Sequence, residues 1–143
     1  QQITDPKKLA DVLGVQQQVW DEDFSWLGRY LGGALHNYPE QMSVYVAYVN
    51  EQAASAAWIY FSKHSQFASL WGGSTISGFR KQGLYTALLA VRAQEAKARH
   101  VRYLTVDASP MSRPILEKFG FEMIAYAYPC KWKLKSHREN GAT

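Results

Sequence analysis

The chain has 143 residues, 47% hydrophobic and 20% charged, with a net charge of +4, a balance that fits one globular domain with its own core and excludes a disordered or fibrous chain. No apolar run approaches the roughly 18 residues of a membrane span, and the opening Gln1-Gln2-Ile3 carries no basic-then-apolar leader. A single cysteine, Cys130, excludes an internal disulfide, so a reducing, cytoplasmic setting is the plain reading.

The charge is unevenly spread. Residues 1–51 carry three Lys/Arg against seven Asp/Glu, and residues 52–143 carry thirteen against five. The basic half suits an anionic partner, phosphates above all, or is a solvated surface.

Asp5-Pro6 reads as an N-cap followed by a first-position proline. Leu9, Val12, Leu13 and Val19 then give a helical stripe to about Trp20, ended by Asp21-Glu22-Asp23. A second helix is expected from Ser25, with Trp26, Leu27, Tyr30, Leu31 and Leu35 as its apolar positions, stopping before Pro39. Ser43 to Val49 and Ala53 to Ser62 read as strands around a turn at Asn50-Glu51-Gln52. A third strand, Phe67 to Ile76, contains Gly72-Gly73, the mark of a bulge or a close backbone approach.

After the polar stretch Gly78 to Gly83 a long helix is expected from Leu84 to His100, then a strand from Tyr103 to Asp107. Ser109-Pro110 should cap a helix through Ile115, Leu116 and Phe119, with Gly120 just past its end. Phe121 to Tyr128 and Cys130 to Leu134 read as closing strands. The order α-α-β-β-β-α-β-α-β-β predicts one α+β domain, an antiparallel meander followed by one parallel pair. It lacks a strand before the first helix unless Gln1 to Thr4 is its stub.

The sharpest local signal is Arg80-Lys81-Gln82-Gly83-Leu84-Tyr85-Thr86, between a strand and a helix N-terminus. The first N–H groups of a helix lack intrahelical partners and carry the positive end of its dipole, which suits a pyrophosphate. Gly83 permits close approach, Arg80 and Lys81 add charge, and Thr86 adds a hydroxyl. A plain basic turn capped by glycine explains the same seven residues.

The loop resembles the phosphate motif of the GNAT acetyltransferases, Gln/Arg-x-x-Gly-x-Gly/Ala, matched at Arg80 and Gly83 and departed from at Tyr85, whose side chain must then point away from the loop. Pro114 to Glu122 is similar to the family's second marker, a helix ending in Glu-Lys-x-Gly-Phe-Glu. The resemblance spans residues 5 to 134 and implies a mostly antiparallel sheet with one splayed parallel pair, flanked by helices. The family's first strand is not evident, and the chain does not begin with methionine. The chain is therefore expected to be the C-terminal part of a longer protein, with processing as the other reading.

The resemblance also implies acetyl-CoA as co-substrate, in the wedge between the splayed strands. Thr75 and Ile76 would lie beside the pantetheine, and Arg80, Lys81 and the amides of Gln82, Gly83, Leu84, Tyr85 and Thr86 would hold the pyrophosphate. An amine would attack the thioester directly, with a base, a backbone oxyanion donor and an acid assisting. Many relatives place a tyrosine acid where Leu116 stands here. The catalytic candidates are Asp107, Ser109 and Tyr126, with Ser112 and Tyr128 beside them. Each has an ordinary structural explanation: a strand-end carboxylate, an N-cap, a tyrosine with a wet tip. Asp21-Glu22-Asp23 is either an attractor of a cationic acceptor or a solvated helix junction.

No metal site is expected, because His36, His64, His100 and His137 are scattered and Cys130 has no histidine at ligand spacing. Glu95 and Lys97 read as surface charges. The partner expected is a small-molecule or peptide amine, with a second copy of the chain or an upstream domain as further candidates, and no membrane. Nucleic acid is not expected, since the aromatics fall at core spacings and no binding module is present. An N-acetyltransferase is thus the first reading, and a CoA-binding module without transferase activity is the alternative.

Overall fold

The computed structural model describes residues 1–128 together with Cys130 and Trp132. The chain forms two compact units, Gln1–Asp107 and Ala108–Thr143.

The first unit is built on a five-stranded sheet. Its strands β1 (Gln2–Ile3), β2 (Met42–Val49), β3 (Gln52–Phe61), β4 (Phe67–Thr75) and β5 (Tyr103–Val106) lie in sequence order. The first three junctions are antiparallel and β4–β5 is parallel. The first strand is present after all, as a two-residue stub. Gln2 and Ile3 pair with Tyr45 and Val44 on β2, and Ile3 is buried there. The β2–β3 turn is tighter than the three residues expected. Asn50 and Glu51 both adopt positive φ, 48° and 64°, and Gln52 already belongs to β3; the mirror-image turn matches strand twist.

Strand alternation sends side chains to two helical layers. On one face Val44, Val46, Ala56 and Trp58 pack against helices α1 (Leu9–Trp20) and α2 (Ser25–Asn37), chiefly through Leu9, Val12, Val15, Leu27 and Leu31. Each fully buried aliphatic side chain contributes about 1.5–3 kcal/mol. Trp26 and Tyr30, expected on the apolar stripe of α2, are instead about half exposed. They turn outward because Leu27 and Leu31, four residues apart, fill the face toward the sheet. Asp5 does cap the entry to α1, accepting a hydrogen bond from the Lys7 N–H at 2.9 Å ahead of a 3-10 turn, Pro6–Lys8.

The opposite face carries α3 (Leu84–Ala98) over Ile59 and Leu70, with Leu88, Leu89 and Ala96 buried. Glu95 is not the surface charge expected. Its carboxylate accepts from Ser43 Oγ (2.7 Å), Tyr45 Oη (2.9 Å) and Arg99 Nη2 (2.6 Å), tying α3 to β2. Arg99 in turn lies over the Phe61 ring, 4.0 Å from its centroid.

In the second unit the helix α4 (Arg113–Lys118) begins later than expected. Ser112 is its N-cap and Pro114 sits in its first turn. Ser109 opens the preceding turn, accepting from the Ser112 N–H at 3.2 Å. The helix closes as its sequence predicts, with the Gly120 N–H donating to Glu117 O and the Phe121 N–H to Leu116 O. Phe121 to Tyr128, expected as a strand, joins no ladder among the described residues. Strand preference becomes a strand only through a partner and a buried face, and here Ile124, Tyr126 and Tyr128 are exposed. Of the second expected closing strand, Cys130 to Leu134, only Cys130 and Trp132 fall within the described residues.

Candidate active site

Parallel pairing of β4 with β5 stops early. Phe67 to Leu70 align with Tyr103 to Val106, and β4 then continues through Trp71 to Thr75 without a β5 partner. One edge of that five-residue stretch therefore lies open, with no strand partner among the described residues, while its other edge stays paired with β3.

A bulge sits at the start of the open stretch. Ala56 faces Ser74 and Trp58 faces Trp71, so Gly72 and Gly73 stand against Ala57 alone. Both glycines are required by what covers them. Gly72 has φ +63°, and a Cβ there would lie 1.9 Å from Cζ3 of Trp58. A Cβ on Gly73 would come 2.8 Å from Cε2 of Tyr85, so the Tyr85 ring is turned onto the sheet and away from the loop, as the sequence required.

Two polar groups grip the bulge. On the α1 side Gln16, 2% exposed, donates from Nε2 to Gly72 O at 2.7 Å. Its Oε1 accepts from Ser74 Oγ (3.0 Å) and from Nε1 of Trp20 (3.1 Å), whose ring is otherwise half exposed. On the α3 side Arg92, also 2% exposed, donates from Nη1 to Trp58 O (3.1 Å) and Trp71 O (3.4 Å), and from Nε to Leu88 O (2.8 Å). Burial lowers its pKa to about 10, against the opposing influence of the Tyr85 and Tyr45 phenols. Neither Gln16 nor Arg92 stood out in the sequence, because a polar residue on an amphipathic helix looks like surface. The one available signal was position: Arg92 falls four residues after Leu88, on the buried face.

The open edge leads into the basic loop. Thr75 shares a hydrogen bond with Ser55 through their hydroxyls at 2.8 Å, and its carbonyl accepts from Arg80 Nε at 3.1 Å. The Ile76 N–H donates to Ala54 O, toward β3. A short 3-10 turn, Ser77–Phe79, reverses the chain. Lys81 and Gly83 then both take left-handed conformations, φ +63° and +80°, on either side of Gln82. Successive N–H groups in such a turn form an anion-binding concavity. The turn leads into the N-terminus of α3, where Gly83 supplies no side-chain cap and the first turn holds no acidic residue. Arg80, Lys81 and Gln82 are exposed, and Leu84, Tyr85 and Thr86 are half-buried. Thr75, Arg80 and the loop to Thr86 are thus gathered along one strand end and one helix start, a set that fits a diphosphate with an extended tail.

The catalytic candidates divide between the two units. Asp107 follows β5, is exposed, and makes no hydrogen bond or ion pair among the described residues. Ser109 and Tyr126 belong to the second unit. The Ser109 hydroxyl also bonds that of Ser112 at 3.1 Å, and Tyr126 stacks with Tyr128, their ring centroids 6.4 Å apart. Leu116 is buried. Of the acidic trio, Asp23 is committed to structure. It accepts from the Ser25 N–H (2.8 Å) and hydroxyl (3.0 Å) at the start of α2, bonds that lower its pKa. Asp21 and Glu22 remain exposed beside Trp20. Among the described residues no three His, Cys, Asp or Glu side chains converge as metal ligands, and no helix is long and apolar enough to cross a membrane.

No curated protein sequence matches the chain. Among solved structures, a predicted acetyltransferase from Clostridium acetobutylicum with acetyl-CoA superposes with a TM-score of 0.76 at 22% identity, over 92% of this chain and 94% of that one. The aminoglycoside N-acetyltransferase AAC(6′)-Iy, in complex with CoA, gives 0.74 at 17%, over 94% and 93%. An aminoglycoside acetyltransferase from an uncultured soil metagenomic sample, in complex with sisomicin, gives 0.71 at 15%, over 94% and 95%. These similarities establish a shared fold. The sequence profile of the acetyltransferase (GNAT) domain matches residues 29–128, and this match, over more than half of the chain, places it in the GNAT acetyltransferase family.

Proposed function

We propose that the chain is an N-acetyltransferase that takes acetyl-CoA as co-substrate and acetylates an amine. The carrying observation is the open Trp71–Thr75 edge running into the Lys81–Gly83 concavity and the uncapped start of α3. An extended pantetheine fits beside Thr75 and Ile76 as an added strand. The N–H groups of Gln82 to Thr86, with Arg80 and Lys81, meet the diphosphate. The lone cysteine supports a reducing, cytoplasmic setting.

Bound acetyl-CoA supplies an activated thioester. In this reading a backbone N–H of the Gly72-Gly73 bulge meets the charge that develops on the acetyl oxygen. Asp107 takes a proton from the acceptor's ammonium, directly or through water, and the free amine then attacks the thioester carbonyl. Water is the proposed proton source for the departing thiolate.

For the acceptor, Trp20 presents a ring held by two hydrogen bonds on its Nε1, to Gln16 and Ser74, beside Asp21 and Glu22. That combination suits a cationic amine. Aminoglycoside acetyltransferases among the structural neighbours make a polycationic amine the first to try. Leu116, buried and aliphatic at the position of the family's usual acid, favours one second reading, a CoA-binding module without turnover.

Calorimetric titration with acetyl-CoA and with CoA tests the binding, and thiol release with sisomicin, spermidine and lysine peptides tests the transfer. Binding at one per chain with amine-dependent thiol release supports the enzyme. Binding without release from any amine favours the module. Absence of binding by folded protein removes both.

A further inference from the structure

Tyr85 stands where the GNAT phosphate motif has glycine or alanine, and two other features of the chain answer that departure. The first is Gly73, whose missing side chain leaves room for the Tyr85 ring directly on the bulge. The second is Arg92, two turns further along α3, whose guanidinium holds the carbonyls of Trp58 and Trp71, the strand pair that borders the bulge. Arg92 has no carboxylate partner among the described residues. The phenols of Tyr85 and Tyr45 are the ionisable groups close enough to influence it. A leucine would fill that face of α3 without burying a charge. A guanidinium does what leucine cannot: it fixes the direction of two backbone carbonyls on neighbouring strands.

We propose that Tyr85 and Arg92 are positioning residues that couple the phosphate loop to the β4 bulge, so that seating the diphosphate at the start of α3 sets the backbone facing the acetyl group. The proposal rests on the acetyl-CoA reading above. Tyr85 lies in the first turn of α3, beside the N–H groups that meet the phosphates. Any movement of that helix shifts the ring on Gly73 and the guanidinium on Trp71 O together, because both side chains are carried by the same rigid element.

CoA and acetyl-CoA share the nucleotide and pantetheine and differ only in the acetyl group. Their common affinity therefore reads the loop, and the ratio of their affinities reads the bulge. Calorimetry on wild type, Tyr85→Ala and Arg92→Lys measures both. The expected result is a wild-type preference for acetyl-CoA that each variant reduces by about threefold or more, with CoA affinity held within about twofold in Arg92→Lys. Gly73→Ala should remove the preference in wild type and change it by less than about twofold in the Tyr85→Ala background, where the ring is gone. If Arg92→Lys fails to fold, the Tyr85 and Gly73 variants decide the matter alone.

Unchanged ratios, or equal loss of both affinities, would make these ordinary packing residues and overturn the proposal. Equal affinities in wild type would overturn it too, since the bulge would not meet the acetyl group. Absence of all binding by wild type is the separate failure of the acetyl-CoA reading.

Discussion

Gly83 and Asp107 carry the two most direct demands on single side chains. At φ +80° Gly83 holds a conformation that costs an L-residue about 1–2 kcal/mol, and a β-branched side chain more. Among the described residues no atom beyond its chain neighbours lies within 4 Å of where its Cβ would stand, so the constraint is conformational rather than steric. Gly83→Val should therefore swing the loop amides and lower CoA affinity by about tenfold or more, a change read by calorimetry. Gly83→Asn should lose less, because asparagine tolerates the left-handed region; equal affinity in all three proteins would dismiss the loop as the phosphate site. Asp107→Asn keeps shape while removing basicity. With an active amine in hand it should lower turnover by about a hundredfold or more, the usual range for a general base, and leave CoA affinity unchanged. Normal turnover would return Asp107 to being an ordinary strand-end carboxylate.

Helix α3 is held to the sheet by polar contacts that titrate. Burial, then the hydrogen bond to Glu95 and its negative charge, raise the Tyr45 phenol from 10.0 to about 12. The folded chain therefore keeps that proton to higher pH than the unfolded chain. Stability from the pair is complete below pH 10 and is lost as pH rises toward 12. Arg92, lowered to about 10, works in the opposite sense over the same range, so the informative quantity is a difference between two proteins. Unfolding free energies from urea titrations between pH 9 and 11.5 should fall more steeply for wild type than for Tyr45→Phe, by up to about 1 kcal/mol per pH unit. Parallel lines would show that Tyr45 contributes no linkage. These polar ties also mark where the sequence stops being legible. Asp5-Pro6, Gly72-Gly73 and Gly120 announce a cap, a bulge and a helix end because few residues do those jobs. Gln16, Arg92 and Glu95 announce nothing, since their role comes from backbone carbonyls and hydroxyls brought up from distant strands. Trp26 and Tyr30 misled for the converse reason: hydrophobicity marks a face only when its partner is known. Phe121 to Tyr128 carries strand residues, yet local preference forms no ladder by itself.

Over the whole molecule the charge splits between an acidic first third and a basic remainder, a field that favours an anion such as the several phosphate charges of CoA. Two sources of that attraction differ in range. Arg80 and Lys81 stand at the loop, whereas Lys97 lies thirteen residues along α3, about 20 Å from its start at the rise of an α-helix. Exposed charges act over about 10 Å at 0.1 M salt and about 3 Å at 1 M. Raising NaCl from about 0.05 to about 0.5 M should therefore weaken acetyl-CoA binding by roughly tenfold. The double variant Arg80→Gln/Lys81→Gln should flatten that dependence to less than about half its slope, and Lys97→Gln should leave it nearly unchanged, because most of its field is screened at the loop. A flat response in wild type would mean that backbone amides alone hold the phosphates. Equal effects of the near and far variants would mean that net charge gathers the ligand without a local site. A steep dependence shared by a single-stranded oligonucleotide would instead revive nucleic acid as the partner of the basic half, through release of counterions rather than through a built diphosphate cradle.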